Sequence, residues 1–191
     1  MKTEKALSIV FIISLIFKLM HWPGAGVLMV LSLTFLALCY FPFGFYFFSD
    51  KNFKNQKIGI SILFGWLLSI AIIGIEFKLM FWPGSQVMLL VGCMSAAVLL
   101  LAGFSLFKKS DEDLKNYHKN LFTRTVVIFV LAMICLLLPN SVLINHYYAN
   151  EPELRELYLK QQENPQDENI QKEIQEYKAK QFEQENGKRR N

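Results

Sequence analysis

With 191 residues, 53% of them hydrophobic and only 19% charged, and a mean hydropathy of +0.28, the chain is too apolar to be an ordinary soluble domain of its length. Of its 20 basic and 16 acidic residues, eight and ten respectively lie after residue 150, so the first 150 residues are more apolar still and the net charge of +4 describes neither part. One part is suited to lipid and the other to water.

A helix crossing the roughly 30 Å hydrocarbon layer needs about 20 mainly apolar residues, because no water is present there to satisfy the backbone. Five stretches are predicted to meet that length: 6–22, 25–48, 58–82, 84–107 and 121–144. The start, Met1-Lys2-Thr3-Glu4-Lys5 and an apolar run, resembles a secretory signal but has no small-residue cleavage pattern, so a retained first span is expected. Only Pro23-Gly24 separates the first two spans, and only Pro83-Gly84 the third and fourth, which predicts two tight helical hairpins over 1–48 and 58–107. Polar loops are expected over 49–57 and 108–120, then a fifth membrane helix over 121–144 and a polar tail over 145–191. The fold class expected is therefore an all-α integral membrane protein: a four-helix bundle of two hairpins, a fifth helix, and a helical or partly disordered C-terminal tail.

Short loops rich in lysine remain in the cytoplasm. Lys2 and Lys5, then Lys51, Lys54 and Lys57, then Lys108, Lys109, Lys115 and Lys119 place the N-terminus and both polar loops there. Five spans then put both Trp-Pro-Gly turns and the tail on the outer face.

An internal repeat is the most informative feature. At an offset of 60 residues, Phe17-Lys18-Leu19-Met20-His21-Trp22-Pro23-Gly24-Ala25-Gly26-Val27-Leu28 matches Phe77-Lys78-Leu79-Met80-Phe81-Trp82-Pro83-Gly84-Ser85-Gln86-Val87-Met88 at eight of twelve positions. Because each copy holds two helices, the copies share one orientation and are related by an axis along the membrane normal. Proline fixes its own φ and turns the preceding Trp away from helix, glycine permits the reversal, and indole anchors the turn at the head groups. These roles account for Trp22, Pro23, Gly24, Trp82, Pro83 and Gly84 as parts of a turn; a binding surface built from the turns is the alternative.

Lys18 and Lys78 lie about one helical turn inside the membrane. Either they snorkel to the outer head groups or they pair with a carboxylate or a partner. Glu76 is the one acidic residue well within a span and the leading candidate for a functional charge; two positions from Lys78 on a helix, it cannot face that lysine, so an ion pair would cross to Lys18. Cys39, Cys93 and Cys135 are isolated within spans, and His21, His118 and His146 are expected on an outer turn, an inner loop and the tail. No phosphate loop, nucleophile elbow or zinc-protease helix is present. Neither an enzyme, a cofactor, a metal nor a nucleic-acid partner is therefore expected.

The aromatic run Tyr40-Phe41-Pro42-Phe43-Gly44-Phe45-Tyr46-Phe47-Phe48 reads as a kinked cytoplasmic belt, with a ligand pocket as the alternative. In the tail, Leu154, Leu157 and Tyr158, and Ile170, Ile174 and Tyr177, fall at helical spacing on either side of Asn164-Pro165, predicting two short amphipathic helices.

The stretch from Phe17 to Ala25 resembles the amino-terminal hairpin of GldL, the inner-membrane component of the gliding-motility and type IX secretion motor of Bacteroidota; the copy from Phe77 to Ser85 resembles it with Phe81 in place of the histidine. The resemblance implies a bacterial inner-membrane protein with periplasmic Trp-Pro-Gly turns, packed as a subunit against the helix of another membrane protein or against itself. It also implies a proton-carrying glutamate in the second helix of the hairpin, but by spacing from the turn this chain has Leu36 and Ala96 there, neither of which carries a proton. The expectation is a duplicated GldL-like scaffold, with a small proton-coupled transporter or channel using Glu76, Lys18 and Lys78 as the alternative.

Overall fold

Leucine- and isoleucine-rich stretches bounded by proline, glycine and charged turns form the helices of the first part of the chain, and Gln-, Glu- and Lys-rich stretches form those of the tail. The computed structural model describes the backbone of residues 2–48 and 57–190, and the side chains of 3–41 and 57–184. The loop residues 49–56, with Lys51 and Lys54, lie outside the described residues, as do the side chains of the aromatic run beyond Phe41. Eight α-helices and no strand occur among the described residues: α1 (Lys2–Leu19), α2 (Ala25–Phe48), α3 (Ile58–Leu79), α4 (Ser85–Lys108), α5 (Glu112–Leu137), α6 (Asn140–Tyr147), α7 (Pro152–Glu163) and α8 (Glu168–Arg190). Three of them, α3, α4 and α5, are long and apolar enough to cross a membrane, and α2 is apolar over its described part, Ala25–Phe41. α1 is shorter, 18 residues, and carries Lys2, Glu4, Lys5 and Lys18.

The chain divides into two units, Met1–Leu137 and Leu138–Asn191. In the first, each helix packs on the next in chain order and α5 also returns to α3. Burial is therefore unequal between the two copies of the repeat. α3 is flanked by α2, α4 and α5 and buries twelve of its residues, among them Phe64, Leu68, Ile72 and Ile75. α1 rests mainly on α2 and leaves Ile9, Ile12, Ile13 and Ile16 exposed.

Within this unit, α3 and α4 approach very closely. A methyl group placed on Gly92 would lie 2.7 Å from Ala71 Cα, and one on Gly74 would lie 2.9 Å from Leu89 Cα, so each glycine admits the other helix's backbone. The equivalent positions of the first copy are Ser14 and Ser32, both buried, whose hydroxyls donate to the carbonyls of Phe11 (2.7 Å) and Met29 (3.0 Å) of their own helices. Small buried residues thus stand at the same two positions in both copies. The repeat extends well beyond the turn that reveals it.

The fifth apolar helix differs from its expected limits of 121–144. It starts at Glu112, where Glu112 and Asp113 complement the positive helix end, so most of the expected loop 108–120 is helical. It stops at Leu137, because Pro139 holds an extended backbone (φ −62°, ψ 138°) and disfavours helix in the residue before it. Residues 140–144 accordingly belong to the second unit. His118, expected on a loop, is buried on α5 with its Nδ1 2.8 Å from Ser110 Oγ.

In the second unit α7 and α8 pack together, with α6 against α7. Pro152 opens α7, where a missing N–H is harmless. Asp167 caps α8 by accepting from the Asn169 N–H at 2.9 Å. The two helices flank Asn164-Pro165 as expected, but α8 is 23 residues long rather than short. Leu154, Tyr158 and Ile174 form the buried stripe, and Lys178 Nζ donates to Tyr158 Oη at 2.6 Å.

Candidate functional site

The repeated turn has one backbone solution, used twice. Trp22 N–H donates to Phe17 O (2.9 Å) and His21 N–H to Lys18 O (3.2 Å); Trp82 N–H donates to Phe77 O (3.0 Å) and Phe81 N–H to Lys78 O (3.3 Å). This is the double hydrogen bond of a Schellman helix end, with the left-handed residue at His21 (φ 58°) and Phe81 (φ 56°). The aromatic contact that accompanies it is present in both copies: the Phe17 and Trp22 rings are 4.6 Å apart, and those of Phe77 and Trp82 4.9 Å. Phenylalanine and tryptophan are thus five apart in the motif because the helix end folds one onto the other. Gly24 (φ 83°) and Gly84 (φ 76°) then lead into α2 and α4. The sequence pointed to the prolines and glycines; a non-glycine residue in the left-handed position carries no sequence signal and was not foreseen.

The two lysines of the motif have different surroundings. Lys18 is half-buried at the end of α1, and a methyl on Gly26 would lie 3.8 Å from its Nζ. Lys78 is only 2% exposed, and no carboxylate among the described residues lies within ion-pair distance of it. Its burial follows from the central place of α3.

Glu76 turns the other way, towards α2. It is 3% exposed, and its Oε1 accepts from Thr34 Oγ1 at 2.8 Å. The hydroxyl of Thr34, and not the amine of Lys18, is its partner across the helices, so the ion pair considered from sequence is not formed. The carboxylate borders a groove of about 460 Å³ between α2 and α3, whose walls include Thr34, Phe41, Trp66, Phe77 and Trp82. Phe41 and Trp66 meet edge to face at 6.1 Å. Ser69 also borders it but donates to its own helix, to Trp66 O at 2.7 Å.

Further polar ties lie elsewhere in the first unit. Arg124 Nε and Nη2 donate to Glu4 Oε1 and Oε2 at 2.8 and 2.9 Å, and Tyr40 Oη donates to Glu4 Oε1 at 2.6 Å, joining α5, α1 and α2 through one carboxylate. The hydroxyls of Ser61 and Tyr117 pair between α3 and α5, and Tyr117 Oη also donates to Lys57 O at 3.3 Å. Arg124 could have been singled out as a charge within the expected fifth span; nothing in the sequence assigned Glu4 to it. Cys39, Cys93 and Cys135 are free thiols, and no cluster of three metal-ligating residues occurs among the described residues.

No protein-family model, curated protein or solved structure matches this chain.

Proposed function

We propose that this chain is a non-enzymatic subunit or scaffold of a bacterial inner-membrane complex, a duplicated relative of the GldL hairpin that packs against another membrane protein. The observation that carries the reading is the repeated turn, closed by the same hydrogen bonds, the same left-handed residue and the same Phe–Trp contact in each copy. In this reading the two hairpins and α5 give five spans. Lysine-rich loops hold the N-terminus in the cytoplasm, and both turns and the second unit lie in the periplasm. Val87, Val91, Met94, Val98 and Leu101 form an exposed apolar stripe along α4 that suits lipid or a partner's helix. No bound cofactor or nucleic acid enters the proposal.

The test is purification of the tagged chain in mild detergent, with the particle mass and its companions determined. A reproducible companion with one span and a periplasmic domain is expected. A lone monomer or homo-oligomer would overturn the partner, and a C-terminal reporter active only in the cytoplasm would overturn the five-span arrangement.

The buried Glu76 and Lys78 favour a second reading, a small proton-coupled transporter or channel. Glu76→Gln separates the two: loss of assembly supports the scaffold, whereas intact assembly with lost ion flux supports the conductor.

A further inference from the structure

We propose that the groove between α2 and α3 is a binding site for a lipophilic organic cation, one whose charge is delocalised or quaternary and shielded by apolar groups. This goes beyond the scaffold reading and needs no partner protein.

Size comes first. About 460 Å³ lies within the range of small-molecule sites, whereas a membrane helix, some 10 Å across and about 30 Å long, could only lie over such a groove and not within it. The walls then select the chemistry. Phe77 and Trp82 supply rings at the Glu76 end of the groove, while Phe41 and Trp66, the latter ten residues and so about 15 Å from Glu76 along α3, line its other end; indole is the strongest of the aromatic partners for a cation. Among these walls Glu76 is the single ionisable group, and it is more than nine-tenths buried while bordering the open space. Its described partner is a neutral hydroxyl, and no described cation lies within ion-pair distance of it. Its carboxyl is supplied with a hydrogen bond but not with a counter-charge; burial is costly for the ionised form, and an entering cation is one partner that offsets that cost.

Two other cations are less suited. A hard divalent ion such as Ca²⁺ or Mg²⁺ takes six or more oxygens, and the groove side chains offer the carboxylate and the Thr34 hydroxyl, since the Ser69 hydroxyl is turned to its own helix. A primary ammonium is strongly hydrated and would have to give up water for two oxygen-bearing side chains. A delocalised or quaternary cation has little hydration to lose and gains from aromatic faces. The way in is also apolar: Leu38, Phe41 and Trp66, at the rim, are each about half exposed, so the groove opens where a lipophilic cation would already be dissolved in the bilayer.

The test uses the full chain in neutral detergent or neutral-lipid nanodiscs, with tetraphenylphosphonium as the cation and tetraphenylborate as an anion of the same shape. Equilibrium dialysis and tryptophan fluorescence would read binding. Saturable uptake of one phosphonium per chain is expected, with no competition from the borate. Glu76→Gln should weaken binding by at least about tenfold, the loss of one charge partner in an apolar site. Trp82→Leu, which takes an indole away from the groove wall, should weaken it several-fold while the circular dichroism is unchanged. No saturable binding, equal binding of the borate, or full affinity in folded Glu76→Gln would each overturn the proposal; equal borate binding would mark the groove as a place for apolar chains. If Glu76→Gln does not fold, the two probes on the unaltered protein and the Trp82→Leu variant still decide.

Discussion

At positions 21 and 81 the backbone is the same and the side chain is not. Both residues are left-handed, a conformation that costs a residue with a Cβ about 1 kcal/mol relative to glycine. His21 is exposed and Phe81 is 1% exposed. The same substitution should therefore have opposite signs. His21→Gly relieves backbone strain and is expected to raise stability by about 0.5–1 kcal/mol; Phe81→Gly relieves it too but vacates a buried ring site, with a net loss of about 2 kcal/mol or more. Thermal unfolding of the two variants in one detergent would show the divergence, and equal shifts would mean that the turn alone governs both positions.

Among the helices, what decides the packing is which small residue stands at each crossing. Gly92→Ser installs in the second copy the residue that the first copy carries at Ser32. A Cβ there meets backbone at 2.7 Å, so α3 and α4 must separate and the expected loss is about 1–3 kcal/mol. The reverse change, Ser32→Gly, removes one hydroxyl bonded to its own helix and should lower the melting point by much less. Comparable losses from both would show that the crossings are equally close. Helix breaks were legible where proline or glycine carried them, at residues 23–24, 83–84 and 165, because those residues act locally. The limits of α5 were not, since hydropathy registers the membrane-facing length of a helix and not its polar first turns. Nor does apolarity say which helix is central. That depends on α5 returning to α3, and it is why Lys18 and Lys78, alike in sequence, differ in burial.

For the first unit as a whole, the carboxylate of Glu4 is the point where three helices are tied. Its side chain and that of Arg124 are 14% and 13% exposed, so removing one partner leaves a charge with little access to water. Arg124→Met should lower stability by about 3 kcal/mol, while the double variant Glu4→Gln, Arg124→Met should regain much of it. Unfolding of the two single variants and the double would measure this coupling, and simple additivity would show that the pair contributes nothing jointly. The candidate site was legible in half: a carboxylate within an apolar span is visible as a charge, so Glu76 stood out. Thr34, 42 positions away, and Arg124, 120 positions from Glu4, became partners only through the packing of helices that no local pattern encodes.

That separation also has a consequence in time. A ribosome adding about 5–20 residues per second needs roughly 6–24 s to travel the 120 residues from Glu4 to Arg124. For that interval the first four helices are made while Glu4 has no arginine to meet, so Tyr40, already synthesised, is the earlier of its two partners. The guanidinium arrives last, and α1 is clasped at its beginning only when the fifth helix has been threaded into place.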